Sequence, residues 1–111
     1  MKNRITTVFR ETTPAIALVL MAATSAQAGS VDTFNSVCAE CHTGGFKGFM
    51  SGAPNVRKPA SWQKFLERDS EDRMREIVLR GTKDHKAKGG CTTCTDQQII
   101  EVLDYLLERV R

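Results

Sequence analysis

One domain is the most that 111 residues can hold. Sixteen Lys and Arg against 13 Asp and Glu give a formal charge of +3, a balance that makes no case for nucleic acid as a partner. Four cysteines in so short a chain matter more, because a core this thin usually needs a disulfide, a metal or a cofactor to hold it.

The chain opens with basic residues Lys2, Arg4 and Arg10, continues into an apolar run from Ala15 to Ala23, and reaches the small-x-small pattern Ala26-Gln27-Ala28. These features read together as an export signal over 1–28. The apolar run is about half of the roughly 20 residues needed to span a bilayer, so cleavage is expected rather than retention as an anchor. No cysteine follows the cut to carry a lipid, and no membrane contact is expected afterwards. The domain is then 29–111, periplasmic, and loss of Lys2, Arg4, Arg10 and Glu11 lowers its formal charge from +3 to +1.

Within that domain, Phe34, Val37 and Cys41 share a helical face, with Asp32 placed to cap the helix. Glycines 44, 45, 48 and 52 are expected to break regularity and let the backbone run close to a flat ligand. Pro59 and "ASWQKFLERD" predict a short helix carrying Trp62, Phe65 and Leu66 inward. Asp69 or Ser70 can cap "EDRMREIVLRG", where Met74, Ile77 and Val78 have helical spacing and Gly81 is the stop. "TKDHKAKGG" reads as an exposed loop. Thr95 and Gln98 form a capping box for a last helix, with Ile99, Val102, Leu103, Leu106 and Val110 as its apolar stripe and Arg109 and Arg111 suiting its C-terminal dipole. No strand pattern or repeat is present, and the chain reads as all-α.

The two cysteine pairs, "CAECH" at 38–42 and "CTTC" at 91–94, admit two readings. Four thiolates can complete a zinc tetrahedron, but the pairs are far apart, the compartment is oxidising, and His42 directly follows Cys41. Cys-x-x-Cys-His is the attachment signature of a c-type haem. Both thiols can reach the vinyl groups on one porphyrin edge, and the next residue's imidazole can then meet the iron. A thioredoxin-type redox pair would want a βαβ context, which is absent. Cys91 and Cys94 lack the histidine, and in an oxidising compartment they are expected to form a disulfide. That ring is short, so it removes little chain entropy and stabilises by a few kcal/mol at most, roughly; its larger effect is to stiffen the loop before the last helix.

Phe34 four residues before Cys38, "CAECH", "GAP" at 52–54, Trp62, "KGGCTTCTDQQI" and the closing "VLDYLLE" resemble a class I cytochrome c, and most nearly the cytochrome c5 group. The resemblance covers essentially all of 29–111. It implies three to five helices wrapped round one covalently attached haem c, working as a one-electron carrier and not as an enzyme. It further implies that His42 is the proximal iron ligand, that the Pro54 carbonyl accepts its Nδ1–H, and that Trp62 helps hold a haem propionate. Phe65 stands where the family has a basic propionate partner, with Lys64 or Arg68 as the available substitutes.

The sixth ligand departs from the family. The cytochrome c5 group has a methionine six residues before the second cysteine pair, and that register falls here on His85, in "KDHKAKGGC". After residue 28 the only methionines are Met50 and Met74. The expectation is therefore a bis-histidine haem of lowered potential, the alternatives being Lys83 or Lys86, Met50, or an open iron. Lys83, Lys86 and Lys88 form a basic rim that could steer a redox donor and acceptor, with Lys47, Arg57 and Lys58 toward the other side. Two further functions stay open: a haem subunit of a larger oxidoreductase, and binding of oxygen, nitric oxide or peroxide at a labile sixth position.

Overall fold

Helical backbone is already established at 28–33, where the computed structural model begins its description of residues 28–111; the expected export signal lies outside them but for its last residue. Asp32 is consequently inside the helix and does not cap it. Its carbonyl instead accepts the Ser36 hydroxyl at 2.9 Å, a back-bond typical of serine in helices. The ladder then widens into a π-helical segment, Phe34–Cys38, before closing as α1, Ala39–His42. Segments of this kind are rare and cluster at functional sites; this one ends on the first cysteine of the haem motif.

The glycine-rich stretch is helical rather than irregular: α2 covers Gly45–Ser51. Gly44 (φ 86°) and Gly52 (φ 68°) supply the left-handed backbone that starts and stops it. Gly48 lets the helix lie on α1, since a Cβ there would stand 3.0 Å from the Cys41 carbonyl oxygen. Pro59 opens a 3₁₀ turn, Pro59–Trp62, that runs into α3, Gln63–Arg68, as suits a residue with fixed φ and no N–H to satisfy. The helix α4 spans Glu71–Arg80, and of its two candidate caps Ser70 is the one used, accepting the Arg73 N–H at 3.1 Å. A second 3₁₀ turn, Ala87–Gly90, precedes α5, Asp96–Val110. There the expected capping box is complete: Thr95 Oγ1 accepts the Gln98 N–H at 3.2 Å and Gln98 Oε1 accepts the Thr95 N–H at 2.8 Å.

The fold is all-α, with five α-helices and no strand among the described residues. Its core is built on α5. Ile99, Val102, Leu103, Leu106, Leu107 and Val110 are buried, each side chain contributing about 1.5–3 kcal/mol if fully removed from water. All but Ile99 pack in one cluster with Phe34, Trp62 and Met74, so α5 gathers the haem-motif helix, the Trp62 turn and α4 onto one stripe. Phe34 and Tyr105, with ring centres 6.1 Å apart, tie the first helix to the last. No helix among the described residues is long and apolar enough to cross a membrane.

Candidate cofactor site

Cys38 and Cys41 are half-buried free thiols. Burial, helped by the neighbouring Cys41, pushes the Cys38 thiol up to about 11, so it is a protonated thiol at neutral pH and a poor metal-ligating thiolate. Cys91 and Cys94 are bonded to each other. Among the described residues no group of three or more His, Cys, Asp or Glu could hold a metal ion. The two cysteine pairs therefore do not converge on a zinc tetrahedron.

His42, at the end of α1, donates Nδ1–H to the Pro54 carbonyl at 2.9 Å. The loop that presents this carbonyl is pinned on its far side: the Val56 N–H reaches the His42 carbonyl at 2.8 Å and the Asn55 N–H reaches Ser61 Oγ at 2.9 Å. Burial holds the His42 protonation below the ordinary histidine range, the Pro54 contact opposes that, and His85 adds to it. The imidazole is neutral near pH 7, with Nδ1 committed and the Nε2 lone pair free. Such a hydrogen bond fixes both the tautomer and the ring angle of a ligating histidine.

Two further rings stand beside it. Trp62 is stacked on His42 at 5.4 Å and 24°; it is 7% exposed, yet its Nε1–H has no partner. The His85 ring centre is 6.2 Å from that of His42, tilted by 36°. A tight turn brings His85 there from 43 positions further along the chain: Thr82 and His85 exchange backbone hydrogen bonds of 2.8 and 3.3 Å. Its Nδ1–H goes to the Lys86 carbonyl at 2.8 Å, which again leaves Nε2 free.

Of the residues singled out from sequence, His42, Pro54, Trp62 and His85 thus meet in one place, with Cys38 and Cys41 on the helix that carries His42. The basic rim is thinner than expected. Lys83 and Lys86 are exposed, but Lys88 Nζ donates to the Cys94 carbonyl at 3.0 Å and pairs with Asp96 at 2.7 Å, so it straps the loop to the start of α5. Of the possible propionate partners, Arg68 is taken up by Asp69 at 2.6 Å, and Lys64 Nζ lies 4.9 Å from the Phe65 ring centre. Ser61 and Gly81 also shape the site and were not singled out for it. Gly81 read only as a helix stop, and nothing local in "PASW" marks Ser61 as the anchor of the Pro54 loop.

A family model described as cytochrome C oxidase, cbb3-type, subunit III matches residues 25–106. No curated protein matches the chain. The covalent haem c of that family fits the residues present. A metal–imidazole bond of about 2.0 Å plus about 1.2 Å from nitrogen to ring centre would place the centres of two imidazoles sharing one ion about 6.4 Å apart, against the 6.2 Å found. The unpartnered, buried Trp62 Nε1–H is the donor that a propionate oxygen would satisfy. Since the match spans nearly all of the described fold, the chain belongs to this cytochrome c family, the cbb3-type oxidase subunit III type of class I cytochrome c.

Proposed function

We propose that the domain is an exported, periplasmic one-electron carrier, with one haem c joined to Cys38 and Cys41 and held axially by His42 and His85. The observation that carries the ligand assignment is the 6.2 Å separation of the two imidazoles, each with Nδ1 bound to a carbonyl and Nε2 free. Within class I, "KGGCTTCTD" supports a place nearest the cytochrome c5 group.

When bound, the haem supplies a one-electron ferric/ferrous couple. The chain's own residues hold the coordination constant through that change. Pro54 keeps the His42 ring oriented, the Thr82–His85 turn keeps the second imidazole opposite it, and Trp62 covers the His42 face and offers its N–H to a propionate. Imidazole in place of the thioether of the relatives favours ferric iron, so the midpoint potential lies below theirs. Axial ligation is one contributor to a spread of about 0.8 V across haem proteins.

Replacing His85→Met tests the assignment. The natural protein should show a low-spin bis-imidazole spectrum and no carbon monoxide complex when reduced; the variant should gain a sulfur–iron absorption band and a more positive potential. A sulfur–iron band already present before substitution would refute it.

A second reading has one observation in its favour, the oxidase-subunit description of the matching family. In it the domain is a fixed haem subunit rather than a free shuttle. Copurification of the natural protein with an oxidase activity under mild detergent would support that reading, and an isolated, fully reducible monomer would support the shuttle.

A further inference from the structure

The exposed large apolar side chains of the described residues all lie on α2: Phe46 at 78%, Phe49 at 82% and Met50 at 65%. At 100° per residue, Phe46 and Met50 fall on the side of the helix opposite Gly48, with Phe49 adjoining. Gly48 is the residue that touches the Cys41 carbonyl. The ridge therefore points outward from a helix whose inner face rests on a haem-bearing cysteine, about one helix diameter of 10 Å away.

We propose that this ridge is where a second copy of the chain docks, in a short-lived pair through which electrons pass from one copy to the other. The inference rests on the carrier reading above. Three features argue for that occupant. The ridge is uncharged, since the one ionic residue among its neighbours on α2, Lys47, is paired with Glu40. A two-fold contact sets a patch against itself, which an apolar, neutral ridge tolerates and the Lys83–Lys86 rim does not, because like charges would oppose. The size is also right. Three such side chains expose about 450 Å², so two ridges bury about 900 Å² in total, below the 1,200 Å² or more of stable interfaces and in the range of transient redox encounters. In the exchange, the ferrous copy loses one electron and the ferric copy gains it, and no bond is made or broken.

The test uses the haem-loaded protein, mixed in ferrous and ferric forms, with electron self-exchange read from NMR line broadening. Exchange should change by less than about threefold between low and high salt, because screening has no charged contact to act on. The double variant Phe46→Ser/Phe49→Ser should exchange at least about tenfold more slowly, with spectrum and potential unmoved. Phe46→Lys places a like charge on both copies, so its exchange should be slow at low salt and recover as salt is added. Sedimentation should show a monomer at micromolar concentration. Unchanged exchange in the serine variant overturns the proposal, as does a stable dimer or a steep salt dependence of the natural protein. Ridge-dependent binding to phosphatidylcholine vesicles without an effect on exchange reassigns the ridge to a lipid surface and equally overturns it. A protein without a covalent haem band fails at the carrier reading itself, which the haem spectrum reports before any exchange is measured.

Discussion

Gly81 lies against the backbone of His85: a Cβ at position 81 would stand 2.8 Å from the His85 carbonyl oxygen and 2.7 Å from the Ala87 nitrogen. The φ of 74° and ψ of 171° there belong to a region almost closed to residues with a side chain. Gly81→Ala therefore has to move the turn that presents His85. The expected cost is about 1–3 kcal/mol, seen in thermal unfolding. Because the displaced element carries the proposed ligand, the reduced variant should also bind carbon monoxide where the natural protein does not. Lost stability with no carbon monoxide complex would show that His85 is not the group being moved.

Ser61 acts on the opposite imidazole through the loop that carries Pro54. Ser61→Ala removes the acceptor of the Asn55 N–H, which should lower stability by about 1–3 kcal/mol. A looser Pro54 carbonyl also weakens the hydrogen bond to His42, which, with His42 as the proposed ligand, would make it a weaker donor to iron. Redox titration should then give a potential shifted upward, toward easier reduction. A fall in stability without that shift would confine Ser61 to holding the loop.

The two cysteine pairs should separate cleanly in experiment. Cys91→Ser/Cys94→Ser removes a bond that closes a ring of sequence separation 3, so the loss of stability is small, on the order of a few kcal/mol at most. Its haem should remain covalently attached, as judged after acid–acetone extraction. Cys38→Ser/Cys41→Ser should release the haem to the same extraction. Extractable haem in the natural protein would contradict the attachment.

Acid stability should depend in part on one ion pair at the end of the fold. Arg111 bonds Glu71 and holds its carboxyl below the ordinary glutamate range, with Arg75 adding to the effect. A lowered folded-state value means that the unfolded chain binds protons first as pH falls. The stabilisation is complete above the unfolded value, about pH 4.3, and is lost as pH drops through the lowered one. Glu71→Gln should flatten that part of the curve of melting temperature against pH, and added salt should do the same because the pair is exposed. A slope unaffected by either change would place the acid sensitivity elsewhere.

What the amino-acid sequence determined by itself is the chemistry that depends on near neighbours. "CAECH" presents two thiols and an imidazole to one group whatever the surrounding fold. The Thr95–Gln98 box and the Ser70 cap act over three residues, and the α5 stripe needs only a 3.6-residue period, so both helices were legible before any packing was known. Tertiary structure decided what those rules leave free. Glycines 45 and 48 allow either helix or loop, and only the packed structure shows a helix there, with Gly48 close against the Cys41 carbonyl. Asp32 has a capping side chain, but the helix starts earlier and has no end there to cap. Lys88 reads as a free surface charge until its neighbours at Cys94 and Asp96 are in place. The approach of His85 to His42 depends on a turn closed by Thr82 and a glycine that fits under it, and distances between residues so far apart along the chain are set only when the core closes.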